Sequence, residues 1–81
     1  MDDITLEAVI DLLKDVNEAP DYETSETLVD GREIDSFDIL SIVSAIDDEF
    51  DVAVPAKEIV PANFNSAKAI HAMICRLAAE D

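Results

Sequence analysis

Ser36 stands in the run Ile34-Asp35-Ser36-Phe37-Asp38-Ile39-Leu40, at the mouth of a helix that opens there. Aspartate and serine at such a place are favoured caps, because their oxygens accept the first free backbone N–H groups. A serine there can also present its hydroxyl on a rigid frame. The chain offers that hydroxyl no activating machinery. His71 is its sole histidine, and no serine or cysteine is paired with a base partner. Carboxylates are plentiful, yet a general acid needs an apolar pocket to raise its pKa, and the sequence offers none. The Asp spacing, sixth-position Gly and closing Glu of a calcium-binding EF-hand loop are missing. Cys75 is alone, which excludes an internal disulfide and reads as a packing residue.

Composition narrows the classes further. The 81 residues suffice for a single domain, 1–81, with one small core and no cleft between lobes, which argues against a free-standing enzyme. Hydrophobic content of 49% is too high for a disordered acidic tail, and with aromatics at only 5% the core is aliphatic and Ala-rich, as suits helices packed on helices. Twenty acids against five bases give a net charge of −15. That surface repels nucleic acid and anionic membranes and attracts basic protein patches. It also favours a monomer and opposes compaction, so added salt or divalent cations should raise the melting temperature. The N-terminus lacks a signal-peptide pattern and no run is long enough to span a bilayer, so a cytoplasmic protein without membrane insertion is expected.

The elements that must hold Ser36 follow from periodicity. Leu6, Val9, Ile10, Leu13 and Val16 predict a first helix over about 3–16, capped by Asp2 or Asp3. Residues 17–33 show no period, and Pro20 and Asp30-Gly31 break the chain. Tyr22, Leu28, Val29 and Ile34 are available to pin that long connection. Ile39, Val43, Ile46 and Phe50 predict a second helix over about 36–50, flanked by Leu40 and Ile42, with Asp35 as cap and Asp38 as its capping-box partner. A short extended link, 51–54, leads to a short third helix over about 56–60 between Pro55 and Pro61, with Ile59 and Val60 fastening it. Ala67, Ile70, Ile74, Leu77 and Ala78 predict a last helix over about 66–79, capped by Asn65 or Ser66, with Arg76 suiting its dipole. The sum is all-α: a four-helix bundle, three long helices and one short, with a long loop between the first two.

The stretch from Leu28 to about Ile74 resembles the acyl and peptidyl carrier proteins. The resemblance is tightest at Ile34-Asp35-Ser36-Phe37-Asp38, followed by Val43-Ser44-Ala45-Ile46-Asp47-Asp48-Glu49-Phe50-Asp51 and then Pro55. It implies a bundle of the acyl-carrier-protein type with 4'-phosphopantetheine, taken from coenzyme A, attached to Ser36. Asp35 and Phe37 would flank the arm; separately from the resemblance, the position of Arg32 just upstream would let it balance the local negative charge. The arm's phosphodiester would face the free N–H groups of the first helical turn. Asp38, Asp47, Asp48 and Asp51 would dock basic grooves of partner enzymes; their alternative is an ordinary solvated helix face. The implied partners are a phosphopantetheinyl transferase, an acyl- or aminoacyl-loading ligase and downstream transferases. The protein would be a carrier that catalyses nothing alone, its cargo held as a thioester, with an acyl chain sheltered between the second, third and fourth helices or, for a smaller cargo such as an amino acid, the core left closed.

Three positions depart from the family pattern. Ser41 stands where an acid is common, Ser44 where a bulky apolar residue is common, and Phe37 where Leu or Met is commoner. They imply a partner set unlike that of a general fatty-acid carrier. Ile34-Asp35-Ser36-Phe37 and Pro61-Ala62-Asn63-Phe64-Asn65-Ser66 are similar to the D-alanyl carrier branch, which would imply teichoic acid modification; equally, Phe64 anchors a loop and Ser66 caps a helix. A reading from another class is an acidic adaptor that is never modified.

Overall fold

The structure, a computed structural model, describes residues 4–80. Helix α1 spans Leu6–Val16. Its cap is Thr5, whose hydroxyl accepts the N–H of Ala8 at 3.1 Å. The expected caps, Asp2 and Asp3, lie outside the described residues, and the helix opens later than the sequence suggested. Val9, Leu12 and Leu13 form its buried face, with Leu6, Ile10 and Val16 at the margins.

Helix α2 spans Ser36–Phe50 and follows the long connection. Its fully buried residues are Ile42 and Ile46. The expected stripe is therefore rotated: Ile42 lies at its centre, Ile39, Val43 and Phe50 lie beside it, and Leu40 is 63% exposed.

The segment after α2 differs most from expectation. A single 3-10 turn covers Ala56–Glu58, not a helix through residue 60. Ile59 packs against the core, whereas Val60 is 42% exposed and does not fasten the turn. Pro61 then opens helix α3, Pro61–Phe64, instead of ending the segment before it. Proline lacks the N–H that a first helical turn leaves unpaired, and its φ is already helical. The turn of α3 drives Phe64 to full burial.

Helix α4 spans Ala67–Glu80 and buries Ala67, Ile70, Met73 and Ile74. Ser66 supplies its cap, accepting the N–H of Ala69 at 3.0 Å. Arg76 lies before the last turn of α4, so it does not serve the helix dipole as expected; it pairs with Glu58 of the 3-10 turn and, one turn on, with Glu80 at 3.5 Å. That contact holds the Glu58 carboxyl below its ordinary pKa. Helix α1 packs on both α2 and α4, and α3 packs on α4. No strand occurs among the described residues. The molecule is a small all-helical bundle around one aliphatic core, and no helix among the described residues is long and apolar enough to cross a membrane.

Candidate functional site at the start of helix α2

The loop of residues 17–35 has no regular structure, yet it is held at many points. Tyr22, Leu28 and Ile34 are buried, and Val29 is half-buried. Asn65, at the junction of α3 and α4, does for this loop what a neighbouring strand would do. Its carbonyl accepts the N–H of Leu28 at 2.9 Å. Its side-chain oxygen accepts the N–H groups of Val29 and Asp30, each at 3.0 Å, and its amide donates to the Asp30 carboxylate. The chain then reverses so that Glu33 and Ile34 both donate to the carbonyl of Leu28. Gly31 is needed here for space: a Cβ would lie 2.7 Å from the Thr27 carbonyl. Its neighbour Arg32 carries the left-handed conformation, at φ 58°.

This loop delivers Asp35 to the helix start. The Asp35 side chain accepts the N–H of Asp38 at 2.9 Å, and the Asp38 side chain accepts the N–H of Asp35 at 3.2 Å, a complete capping box. Asp38 is half-buried, and the same oxygen takes a second bond, from the Asn17 amide at 3.2 Å. Asn17, at the end of α1, is fixed in turn because its carbonyl accepts the Tyr22 hydroxyl. Burial, with the charges of Asp38 and Glu33 adding to it, pushes the Tyr22 phenol up to about 12. The start of α2 is thus tied to the end of α1 and to the loop by one polar network.

Ser36 is the first residue of α2 and is exposed. Asp35 does the capping, so the Ser36 hydroxyl is not needed for it. Among the described residues Ser36 Oγ makes no hydrogen bond. At a helix start the backbone N–H groups of Ser36 and Phe37 have no intrahelical acceptor. A free hydroxyl thus stands on a fixed turn beside two free donors at the positive end of a helix dipole. An anionic group esterified to Ser36 fits that setting.

Phe37 and Leu40, one turn apart, are 75% and 63% exposed and form an apolar patch next to Ser36. Sequence reasoning placed Phe37 at the site but treated Leu40 as a flank of the core stripe. Of the four acids expected at a docking surface, Asp38 is engaged in the cap and in the bond to Asn17. Asp47, Asp48 and Asp51 are exposed at the far end of α2 and make no ion pair among the described residues. Asp47 lies roughly 16 Å along the axis from Ser36 at helical rise. The acids therefore form two groups, one at each end of the helix. Arg32 is exposed, also without an ion pair among the described residues.

His71 and Cys75 lie elsewhere, on α4. The His71 Nε2 is 2.7 Å from the Ile4 carbonyl, which can only accept, so that nitrogen carries the proton. The Cys75 sulfur lies 3.5 Å from the same nitrogen. A protonated Nε2 cannot act as base toward that thiol, and the contact ties α4 to the chain before α1. Asn65 and Asn17 were missed as residues that position the site. Comparison of the chain with family models, with curated proteins and with solved structures finds no match in any of the three.

Proposed function

We propose that the chain is a carrier domain of the acyl-carrier-protein type, with 4'-phosphopantetheine esterified to Ser36 and acyl or aminoacyl groups carried on it. The single observation that supports this most is that Asp35 takes the capping duty, which leaves the adjoining Ser36 hydroxyl exposed and without a hydrogen bond among the described residues. A serine present only as a cap would occupy position 35. When attached, the arm supplies a terminal thiol that forms thioesters. Ser36 would anchor it, the free N–H groups of the first turn would face its phosphate, and Phe37 and Leu40 would offer apolar contact to a partner enzyme. Asp47, Asp48 and Asp51 would steer basic partners toward the same helix.

On this reading the protein is a substrate of other enzymes and not itself an enzyme. It would act in the cytoplasm as a monomer, serving a phosphopantetheinyl transferase, a loading ligase and downstream transferases. The cargo would be fatty acyl, polyketide or aminoacyl; in the D-alanyl variant it would be D-alanine for teichoic acid. The loop residues that suggest the D-alanyl branch have structural duties here, since Phe64 fills the core and Ser66 caps α4. The unmodified adaptor is the competing class, and the exposed Phe37–Leu40 pair would serve it equally well.

Intact-mass measurement after incubation with coenzyme A, Mg²⁺ and a broad-specificity phosphopantetheinyl transferase separates the two. The carrier reading expects the mass of one phosphopantetheine on the wild type and none on Ser36→Ala. No gain on a folded wild type leaves the adaptor; a gain retained by Ser36→Ala moves the attachment elsewhere.

A further inference from the structure

A groove of about 480 Å³ runs between α1 and α2, lined by Ala8, Asp11, Leu12, Asp15, Val16, Ala45, Glu49 and Phe50. Ala8 and Ala45 leave the room, while Leu12, Val16 and Phe50 give apolar walls. Asp11, Asp15 and Glu49 stand exposed along its edge. None of the three makes a hydrogen bond or ion pair among the described residues. The two helices supply one cation between them, Lys14, which is not part of the groove and lies 3.8 Å from Glu23 of the loop. Asp11 and Asp15 are four apart on one helix, a spacing at which like charges destabilise. The groove therefore has an apolar floor, three like charges on its edge and no counter-ion within the described fold.

We propose that this groove is a second docking site, taking a basic amphipathic helix of a partner protein. An apolar side chain would fill the space left by Ala8 and Ala45, and flanking Lys or Arg heads would reach Asp11, Asp15 and Glu49. Charge selects this occupant. A second copy of the chain would bring its own excess of 15 negative charges. A fatty acyl chain would cover the carboxylates without pairing them, which costs free energy. At about 480 Å³ the groove is in the range of pockets that enclose small organic groups, roughly 300–1,000 Å³, which is room for apolar side chains of a docked helix. The lining residues do not include Ser36, Phe37 or Leu40, so occupation of the groove is separable from modification of Ser36.

The test uses the full chain and a synthetic 14-residue helix of Leu and Lys, with a Leu and Gln peptide of the same pattern as its neutral counterpart. Calorimetry gives affinity, and amide shifts give location. Binding by the Lys peptide should shift the amides of Ala8, Leu12, Ala45, Glu49 and Phe50. Replacing the edge charges (Asp11→Asn, Asp15→Asn and Glu49→Gln together) should weaken it about tenfold, as expected for three exposed ion pairs. Removing three charges elsewhere (Glu7→Gln, Glu18→Gln and Glu26→Gln together) should weaken it less than about threefold by the loss of long-range attraction alone. Ala8→Leu should block the groove with every charge in place, its melting temperature reporting that the fold persists. Equal weakening by the two triple variants reduces the effect to net charge and overturns the proposal. So do equal binding of the Gln peptide, shifts confined to Phe37 and Leu40, or concentration-dependent shifts of the groove amides without peptide, which would make the occupant a second copy.

Discussion

At the N-terminal end of α2, Asp35 and Asp38 place two carboxylates where the helix dipole is positive, and each accepts a backbone N–H. At the C-terminal end Asp47, Asp48 and Glu49 crowd where the dipole is negative, with no basic residue in the last turn. Asp51, which caps that end, adopts the left-handed conformation at φ 56°, where glycine is usual. One helix thus carries acids that stabilise it at its start and acids that destabilise it at its finish. The first set fixes the geometry beside Ser36. The carboxylates of the second make no hydrogen bond or ion pair among the described residues, so their charge is left available to cations from outside. Breaking the first end should therefore cost stability, and altering the second should raise it.

The largest effect is expected at Tyr22, which secures the N-terminal network through Asn17. The folded state holds the phenol at about 12, against an ordinary value of 10.0. The folded protein thus binds this proton more tightly than the unfolded chain does. The stabilisation is complete below pH 10 and is lost as the pH rises from 10 to 12, amounting to at most roughly 2 kcal/mol once solvent screening is allowed for. Tyr22 is the sole tyrosine and the chain has no tryptophan, so tyrosinate absorbance reports this group alone. Unfolding free energies by urea should fall across that pH window, and Tyr22→Phe should remove this part of the fall. Titration of the folded protein near pH 10 would refute it.

Asn65→Ala is comparable. It strips the acceptor from the N–H groups of Val29 and Asp30 and the donor from the Asp30 carboxylate, at a cost of roughly 2 kcal/mol. Amide hydrogen exchange should quicken first at residues 28–30. A loss below about 0.5 kcal/mol would mean that the apolar anchors Leu28 and Ile34 hold the loop alone.

Adjacent residues then sharpen the division of labour at the helix start. Asp35→Ala should destabilise by about 1 kcal/mol through loss of the cap. Ser36→Ala should change stability by less than about 0.5 kcal/mol, because the hydroxyl makes no hydrogen bond among the described residues and Asp35 holds the cap. Urea unfolding of the two variants side by side decides it. Equal losses would return Ser36 to the role of a structural cap and weaken the functional reading.

Much of this N-terminal end is legible in the sequence, because its logic is local. Asp35 and Asp38 are three apart, and the capping box needs only that spacing and an apolar run behind it. The phase of the helix was harder to read. Phe37, Ile39, Leu40, Ile42, Val43 and Ile46 put apolar groups around much of α2, so periodicity alone does not select Ile42 for the core and Leu40 for solvent. Only packing against α1 and the loop makes that choice. Thr5 lost to Asp2 and Asp3 as the expected cap, since aspartate is as good a cap and the apolar face was free to extend. Pro61 reads equally as a stop or a start, because proline ends helices as readily as it begins them, and the burial of Phe64 is what decides between the two. Asn65 was out of reach for another reason: its partners lie 35 and 36 positions away, where no local rule applies. The sequence leads one to expect a docking surface in the acids at the far end of α2. Their lack of ion pairs among the described residues is compatible with that role and with plain solvation.

The smallest expected effects lie at that far end, and they have the opposite sign. Asp51→Gly should stabilise by about 0.5–1 kcal/mol, since glycine enters the left-handed conformation without a Cβ penalty. Asp48→Lys should add about 0.3–1 kcal/mol by reversing a charge at the negative end of the dipole. The two gains have different origins, and salt tells them apart. Screening weakens only the electrostatic one, so the advantage of Asp48→Lys over wild type should shrink between 10 and about 150 mM salt as the screening length falls from about 30 to about 8 Å. The advantage of Asp51→Gly combines conformational relief with loss of one charge, so part of it should persist at high salt. The wild type should gain melting temperature over the same range, and Asp48→Lys should gain less of it. If Asp48→Lys destabilises the protein at low salt, the carboxylates of this end make contacts within the fold, and the contrast between the two ends of α2 disappears.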